Sequence, residues 1–267
     1  MGQFPAAALM YRQGYIERGQ PVVHEERALD DVWQRRSPLI AEEGGYDPNR
    51  DAGDLPPRSA VKAGVDPLAF LVGPVEVKYG GDPAKSSVVN LTPFIDPTTK
   101  IIKSETGQIK LDYGMGLCVV NAPQAQGATG FLSKAGPIAL SDVAIRCGND
   151  YATVSVVSLD GLPIRTSKKL LVQVGTMARP TGWQDKDATW KSADGKQTTT
   201  GKEIVATGQN PWQIVNADVA LTVSNANLKT ATLLDANGEA AQTIPAKGAG
   251  GKFTLTLPPN TLYAILR

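Results

Sequence analysis

The chain is predicted to be mainly β, an antiparallel sandwich with a short helical segment at its N-terminus. Three observations carry that expectation. Apolar and polar residues alternate with period two in QIKLDYG and DVALTVSN. The β-branched runs LCVVN, YATVSVVSL and KLLVQVGTM are bounded by Gly, Pro, Asn and Asp. Asn237-Gly238 and Asp194-Gly195 supply the positive φ angles of tight hairpin turns.

Pro5 opens a helical pattern expected over Phe4 to Glu17, in which Leu9, Tyr11, Tyr15 and Ile16 share much of one face and Gly19-Gln20-Pro21 closes the helix. VVHEERALDDVWQRR then reads as a short strand and a short helix carrying Trp33. Residues 37–57 are rich in Pro, Gly and Asp with little periodicity, as in a long loop or linker. Strands begin near Ala69. In QIKLDYG, Ile109, Leu111 and Tyr113 face one way, Lys110 and Asp112 the other. A polar insert, DKDATWKSADGKQTTTGKE, interrupts them before Val219, Leu221 and Val223 restore the alternation. KFTLTL and LYAILR, separated by Pro258-Pro259-Asn260, make the last two strands. The expected organisation is a helical segment with loop over 1–60, a sandwich domain over 61–180, and over 181–267 a second β subdomain or the completion of the same sandwich.

Composition narrows the function. The 27 basic and 26 acidic residues nearly cancel, so no broad field exists to attract nucleic acid or an anionic membrane, and neither is expected as a partner. No apolar run approaches the roughly 20 residues of a membrane helix. The opening residues lack the cationic, apolar and small-residue regions of a secretory signal, and Ala6 breaks the myristoylation pattern. Cys118 and Cys147 lie in or beside strands, either as small buried hydrophobes or as a disulfide in an oxidising compartment.

Four groups of residues can be weighed for chemistry. Glu25 and Glu26 are candidate acids, because glycoside hydrolysis needs two carboxylates held either side of a sugar; the alternative is solvated charge paired with Arg27, Arg35 and Arg36. Asp47, Asn49, Asp51 and Asp54 place oxygens at alternate positions, suiting calcium or a turn-rich linker, although the EF-hand Gly and terminal Glu are missing. Ser59 and Lys62 match S-x-x-K without its partner motifs, and Ser59 also suits a helix cap. Trp183, Trp190 and Trp212 offer indole faces for stacking on sugars, or anchors for a core. His24 is the single histidine and cannot build a multi-histidine metal site. With neither GxSxG nor a phosphate-binding glycine loop in the chain, no nucleotide cofactor is indicated, and none is expected to be required.

FPAAALMYRQGYI followed by PVVHEE resembles the last helix of a clan-A (β/α)8 glycoside hydrolase and its exit into an accessory domain, as in large bacterial β-galactosidase-like enzymes. SETGQIKLDYGMGLCVVNAPQAQGATG is similar to the segment opening the β-rich region after that barrel, and LPPNTLYAIL to the closing strand of the C-terminal sandwich. The resemblance implies catalytic carboxylates at barrel strand ends that would precede Met1. It implies a non-catalytic accessory region of an exported enzyme, with carbohydrate as ligand and the barrel, or self-association, covering the apolar face of the first helix. Two alternatives stay open: an autonomous hydrolase of plant or algal polysaccharide using acidic residues, and a stand-alone carbohydrate-binding module.

Overall fold

The structure, a computed structural model, describes residues 4–34, 36–40, 64–191, 195–196, 198–245, 248 and 250–267. It opens with helix α1 (Phe4–Arg12), strand β1 (Val23–Arg27), helix α2 (Leu29–Trp33), and strands β2 (Val75–Tyr79) and β3 (Ser87–Val88). β4 (Ile95–Asp96), β5 (Ile101–Lys103), β6 (Ile109–Asp112), β7 (Leu117–Asn121) and β8 (Ala125–Gly130) form an antiparallel meander. Helix α3 (Leu132–Ala135) leads into β9 (Ile138–Ala139), β10 (Val143–Cys147), β11 (Ala152–Ser158) and β12 (Leu170–Thr176). A ribbon comes next, built of β13 (Ala178–Thr181), β14 (Gln184–Lys191), β15 (Thr198–Ala206) and β16 (Gln209–Ile214). The chain closes with β17 (Val219–Val223), β18 (Thr230–Leu234), β19 (Ala240–Pro245), β20 (Phe253–Thr256) and β21 (Tyr263–Leu266).

The fold is mainly β and antiparallel, as expected. A sheet in the order β19-β18-β21-β12-β11-β8-β7-β6-β5-β4 packs over a smaller one, β20-β17-β10-β9. The core lies between them. Val154, Val156, Leu170, Val172 and Val174 from the large sheet meet Ile145, Val219, Leu221, Val223 and Phe253 from the small one. Because side chains alternate across a strand, β11 and β12 point a second set of residues the other way. Val157, Leu171 and Ala125 face α1, where Ala6 and Tyr15 are buried against them. β21 pairs with β12, and β17 with β10, so the C-terminal strands complete the sandwich begun by β10 to β12.

The first helix differs from the expectation in length and in face. It ends at Arg12, because Gly14 takes φ 64°, a left-handed conformation that terminates helices readily when glycine supplies it. Ala6, Leu9 and Met10, at i, i+3 and i+4, face the sheet, whereas Tyr11 is 88% exposed. Gln173 Oε1, itself buried, accepts the Ala6 N–H at 2.9 Å and satisfies one of the unpaired donors of the first turn. The apolar side of α1 thus packs on the large sheet of the same chain.

The described part of the N-terminal segment pairs and packs with the later strands. β1 pairs in parallel with β2 and antiparallel with β3, and Val22, Val23, Ala69 and Val72 pack on Ile102 of β5. The polar insert contributes two strands, β14 and β15. β14 and β15 pair from Asp185↔Ile204 to Lys191↔Thr198, and β13 and β16 pair below them. Both faces of the upper ribbon meet water, so its sequence carries polar residues on both sides and no alternation betrays it. The two hairpin glycines behave as expected: Gly195 has φ 69° and Gly238 φ 86°.

Cys118 on β7 and Cys147 on β10 stand in different sheets as free thiols, each only half-buried, and burial pushes both thiols above their usual range. They form no disulfide.

Phe253 is among the largest fully buried side chains. Phe253→Ala should lower the unfolding free energy by about 3–5 kcal/mol, read as an earlier urea midpoint at unchanged slope.

Candidate functional site

Glu25 and Glu26 sit on β1 and, as neighbours on one strand, point to opposite faces of its sheet. Glu25 Oε1 accepts the Leu39 N–H at 3.0 Å and lies 3.6 Å from Arg27 Nε, while its buried Oε2 has no hydrogen-bond partner among the described residues. On the other face, Glu26 Oε2 accepts the Asp82 N–H at 2.8 Å and Oε1 accepts from Lys78 Nζ at 3.0 Å, with His24 Nε2 3.5 Å away. The Asp82 N–H first, and the Lys78 ammonium next, lower the Glu26 carboxyl from 4.5 to about 2. A group so held has no proton to donate near neutrality. The strand thus directs the two carboxylates to opposite faces, although both residues line one cavity of about 360 Å³ together with Arg27, Asp31 and Arg36.

Asp47, Asn49, Asp51 and Asp54 of the calcium reading, and Ser59 and Lys62 of the S-x-x-K reading, lie outside the described residues. Among the described residues no group of three or more His, Cys, Asp or Glu side chains could hold a metal ion.

The three tryptophans are all on the ribbon, in different environments. Trp183, at the bend between β13 and β14, donates its indole N–H to Asp185 Oδ2 at 2.9 Å and is stacked by the Arg179 guanidinium 4.9 Å from its ring centre. One face and the polar edge are engaged in local structure. Trp190, 45% exposed, lies across Gly201 of the neighbouring strand, where a Cβ would come within 3.1 Å of its ring. Trp212 is 62% exposed and its indole N–H makes no hydrogen bond among the described residues. Of these three it is the indole left open.

Trp212 lines a groove of about 570 Å³ between the root of the ribbon and the ends of β12, β18 and β21 of the large sheet. Such a volume falls within the roughly 300–1,000 Å³ of ligand pockets. The root is clamped: Thr176 Oγ1 donates to the Val215 carbonyl, and the Val215 N–H to the Met177 carbonyl at 2.9 Å. The groove is lined also by Tyr263 of β21, Asp235 from the β18–β19 turn, Asn216 after β16 and Asn260 before β21. Asn216 Oδ1 accepts the Asn260 N–H at 2.8 Å and fixes that loop, in which Asn260 takes φ 60°. Asp235 Oδ1 accepts the N–H groups of Asn237 at 2.8 Å and Glu239 at 2.9 Å. Its Oδ2, the Tyr263 hydroxyl and the Asn260 side-chain amide make no hydrogen bond among the described residues.

Comparison with protein-family models, with curated proteins and with solved structures finds no match. The groove therefore rests on its own geometry. Sequence reasoning singled out Trp212 but missed Asn216, Asp235, Asn260 and Tyr263. The turn signals at Asn237-Gly238 and Pro258-Pro259-Asn260 mark two of the loops that supply them, yet nothing local shows that these loops meet.

The lowered carboxyl of Glu26 has a consequence for acid stability. Its folded value lies below its unfolded one, so its contribution is full above about 4.5 and is lost as pH falls towards about 2. Glu26→Gln should lower stability at pH 7 and flatten the acid limb of the unfolding midpoint between those two values, in thermal melts taken across that range.

Proposed function

We propose that this chain is a non-catalytic accessory β-sandwich region of a glycoside hydrolase, which holds polysaccharide while a barrel domain cleaves it. The observation that carries the reading is Trp212, a 62% exposed indole whose N–H makes no hydrogen bond among the described residues, lining a groove with polar groups that likewise lack partners among them. Aromatic faces with a few placed hydrogen-bonding groups suit a sugar ring, which presents C–H on its faces and hydroxyls around its rim. The β-sandwich fold agrees with the resemblance to post-barrel regions. Glu25 and Glu26, engaged on opposite faces of one strand, argue against an autonomous hydrolase built on that pair. On this reading the partners are polysaccharide and either the catalytic barrel or a second copy of the chain, the parent enzyme is exported, and no cofactor is required, calcium at Asp47, Asn49, Asp51 and Asp54 staying open.

Affinity electrophoresis through gels carrying individual polysaccharides tests the reading. The protein should be retarded by at least one of them. Trp212→Ala should weaken that retardation about tenfold or more, as loss of a central aromatic anchor does, and Trp183→Ala should leave it nearly intact. Unretarded migration through every gel would remove the proposal.

A further inference from the structure

The groove that Trp212 lines also carries information on which sugars it can hold. Asp235 is the single charged side chain among the described residues lining it, and those residues include no Lys or Arg. Asp235 is anchored through Oδ1 by the Asn237 and Glu239 N–H groups, so the carboxylate is fixed in place with Oδ2 unpaired. A uronic-acid carboxylate or a sulfate ester entering here would meet a fixed negative charge and no cation to offset its desolvation. A neutral sugar meets the opposite situation. Its hydroxyls can donate to Asp235 Oδ2, a charge-assisted bond, and can exchange hydrogen bonds with the Tyr263 hydroxyl and the Asn260 amide while its ring lies on the Trp212 face.

We infer that this groove is a sugar-binding subsite selective for uncharged saccharide units, with Trp212 as platform and Asp235, Asn260 and Tyr263 as the groups that orient the hydroxyls. The inference rests on the polysaccharide-binding reading and adds to it the place and the chemical class of the ligand. Selectivity arises chiefly by exclusion: the Asp235 charge rejects anionic glycans as well as holding neutral ones.

Isothermal titration with the folded chain tests it against two series of hexasaccharides. One is neutral, from β-galactan, agarose, xylan and cellulose; the other is acidic, from polygalacturonate and sulfated carrageenan. At least one neutral hexasaccharide should bind and the acidic ones should not. Three variants alter the groove with little demand on the fold. Tyr263→Phe removes only a hydroxyl, Asp235→Asn keeps the Oδ1 acceptor of the turn, and Asn260→Gly tolerates the positive φ. Asp235→Asn should weaken neutral binding about tenfold or more, and the other two several-fold each. Thermal melts of each variant should match the parent chain within a few degrees.

Neutral binding that survives all three changes and is lost instead in Trp190→Ala would overturn the assignment to this groove while leaving the polysaccharide-binding reading in place. Preference for the acidic series would overturn the selectivity. Failure of both series to bind, together with unretarded migration in every gel, would sink both inferences.

Discussion

The structure depends on two strands being buried from both sides. β11 and β12 lie near the middle of the large sheet, and period-two alternation sends Val154, Val156, Leu170, Val172 and Val174 into the sandwich core. The same strands send Val157 and Leu171 to α1. A slip of one residue would exchange these two sets and place Ser155 and Gln173, buried polar residues of the helix side, in the apolar core. Register is therefore specified from both faces at once. The position of α1, the alignment of β21 and the starting point of the ribbon after Thr176 are all consequences of it.

Polar groups within this arrangement are matched, and they tie the layers together. Gln126 on β8 faces the small sheet, where its Oε1 accepts the N–H groups of Asp142 at 2.9 Å and Val143 at 3.0 Å. Arg165 Nε donates to Asp142 at 2.7 Å. Asn225, buried just beyond the same end of β17, donates to the carbonyls of Ile164 at 2.6 Å and Ser167 at 2.7 Å. Asp160 gathers the same loop: burial opposes its charge, but hydrogen bonds from the Lys168 N–H, Ser167, Ser158 and the Leu162 N–H outweigh burial and hold its carboxyl below the usual range. Because an unmatched polar group in such a place costs about 1–3 kcal/mol, these contacts select one packing of the sheets over its neighbours.

Strands buried on one face could be read from the sequence, and strands wetted on both could not. β17, with Val219, Leu221 and Val223 buried and Ala220 and Thr222 less so, was legible because its two faces meet different environments. The ribbon was legible only as a polar insert, since β14 and β15 meet water on both faces and their pairing rests on cross-strand contacts such as Lys186 with Glu203 at 3.2 Å and Lys202 with Asp187 at 2.7 Å. The end of α1 was misplaced because Gly14 acts as terminator ahead of Gly19-Gln20-Pro21. Of the candidate groove, Trp212 was visible as an aromatic residue in polar company. Its partners were not, because Asn216, Asp235, Asn260 and Tyr263 come from three separate segments brought together by the pairing of β21 with β12 and β18.

The same pairing decides between the tryptophans. A two-stranded ribbon alone is marginal in water, so its upper half keeps order through contacts of its own, and Trp190 is one of them, laid over Gly201. Trp183 serves the bend in the same way through Asp185 and Arg179. Trp212 is opposite Pro180, next to the clamp of Thr176 and Met177 on Val215, where the ribbon is already held by the end of β12. Its ring is not needed to keep the ribbon folded. With its backbone held beside the clamp and its ring left out of the packing, Trp212 is, among the described residues, the one of the three whose face carries no cation or glycine contact to the ribbon itself.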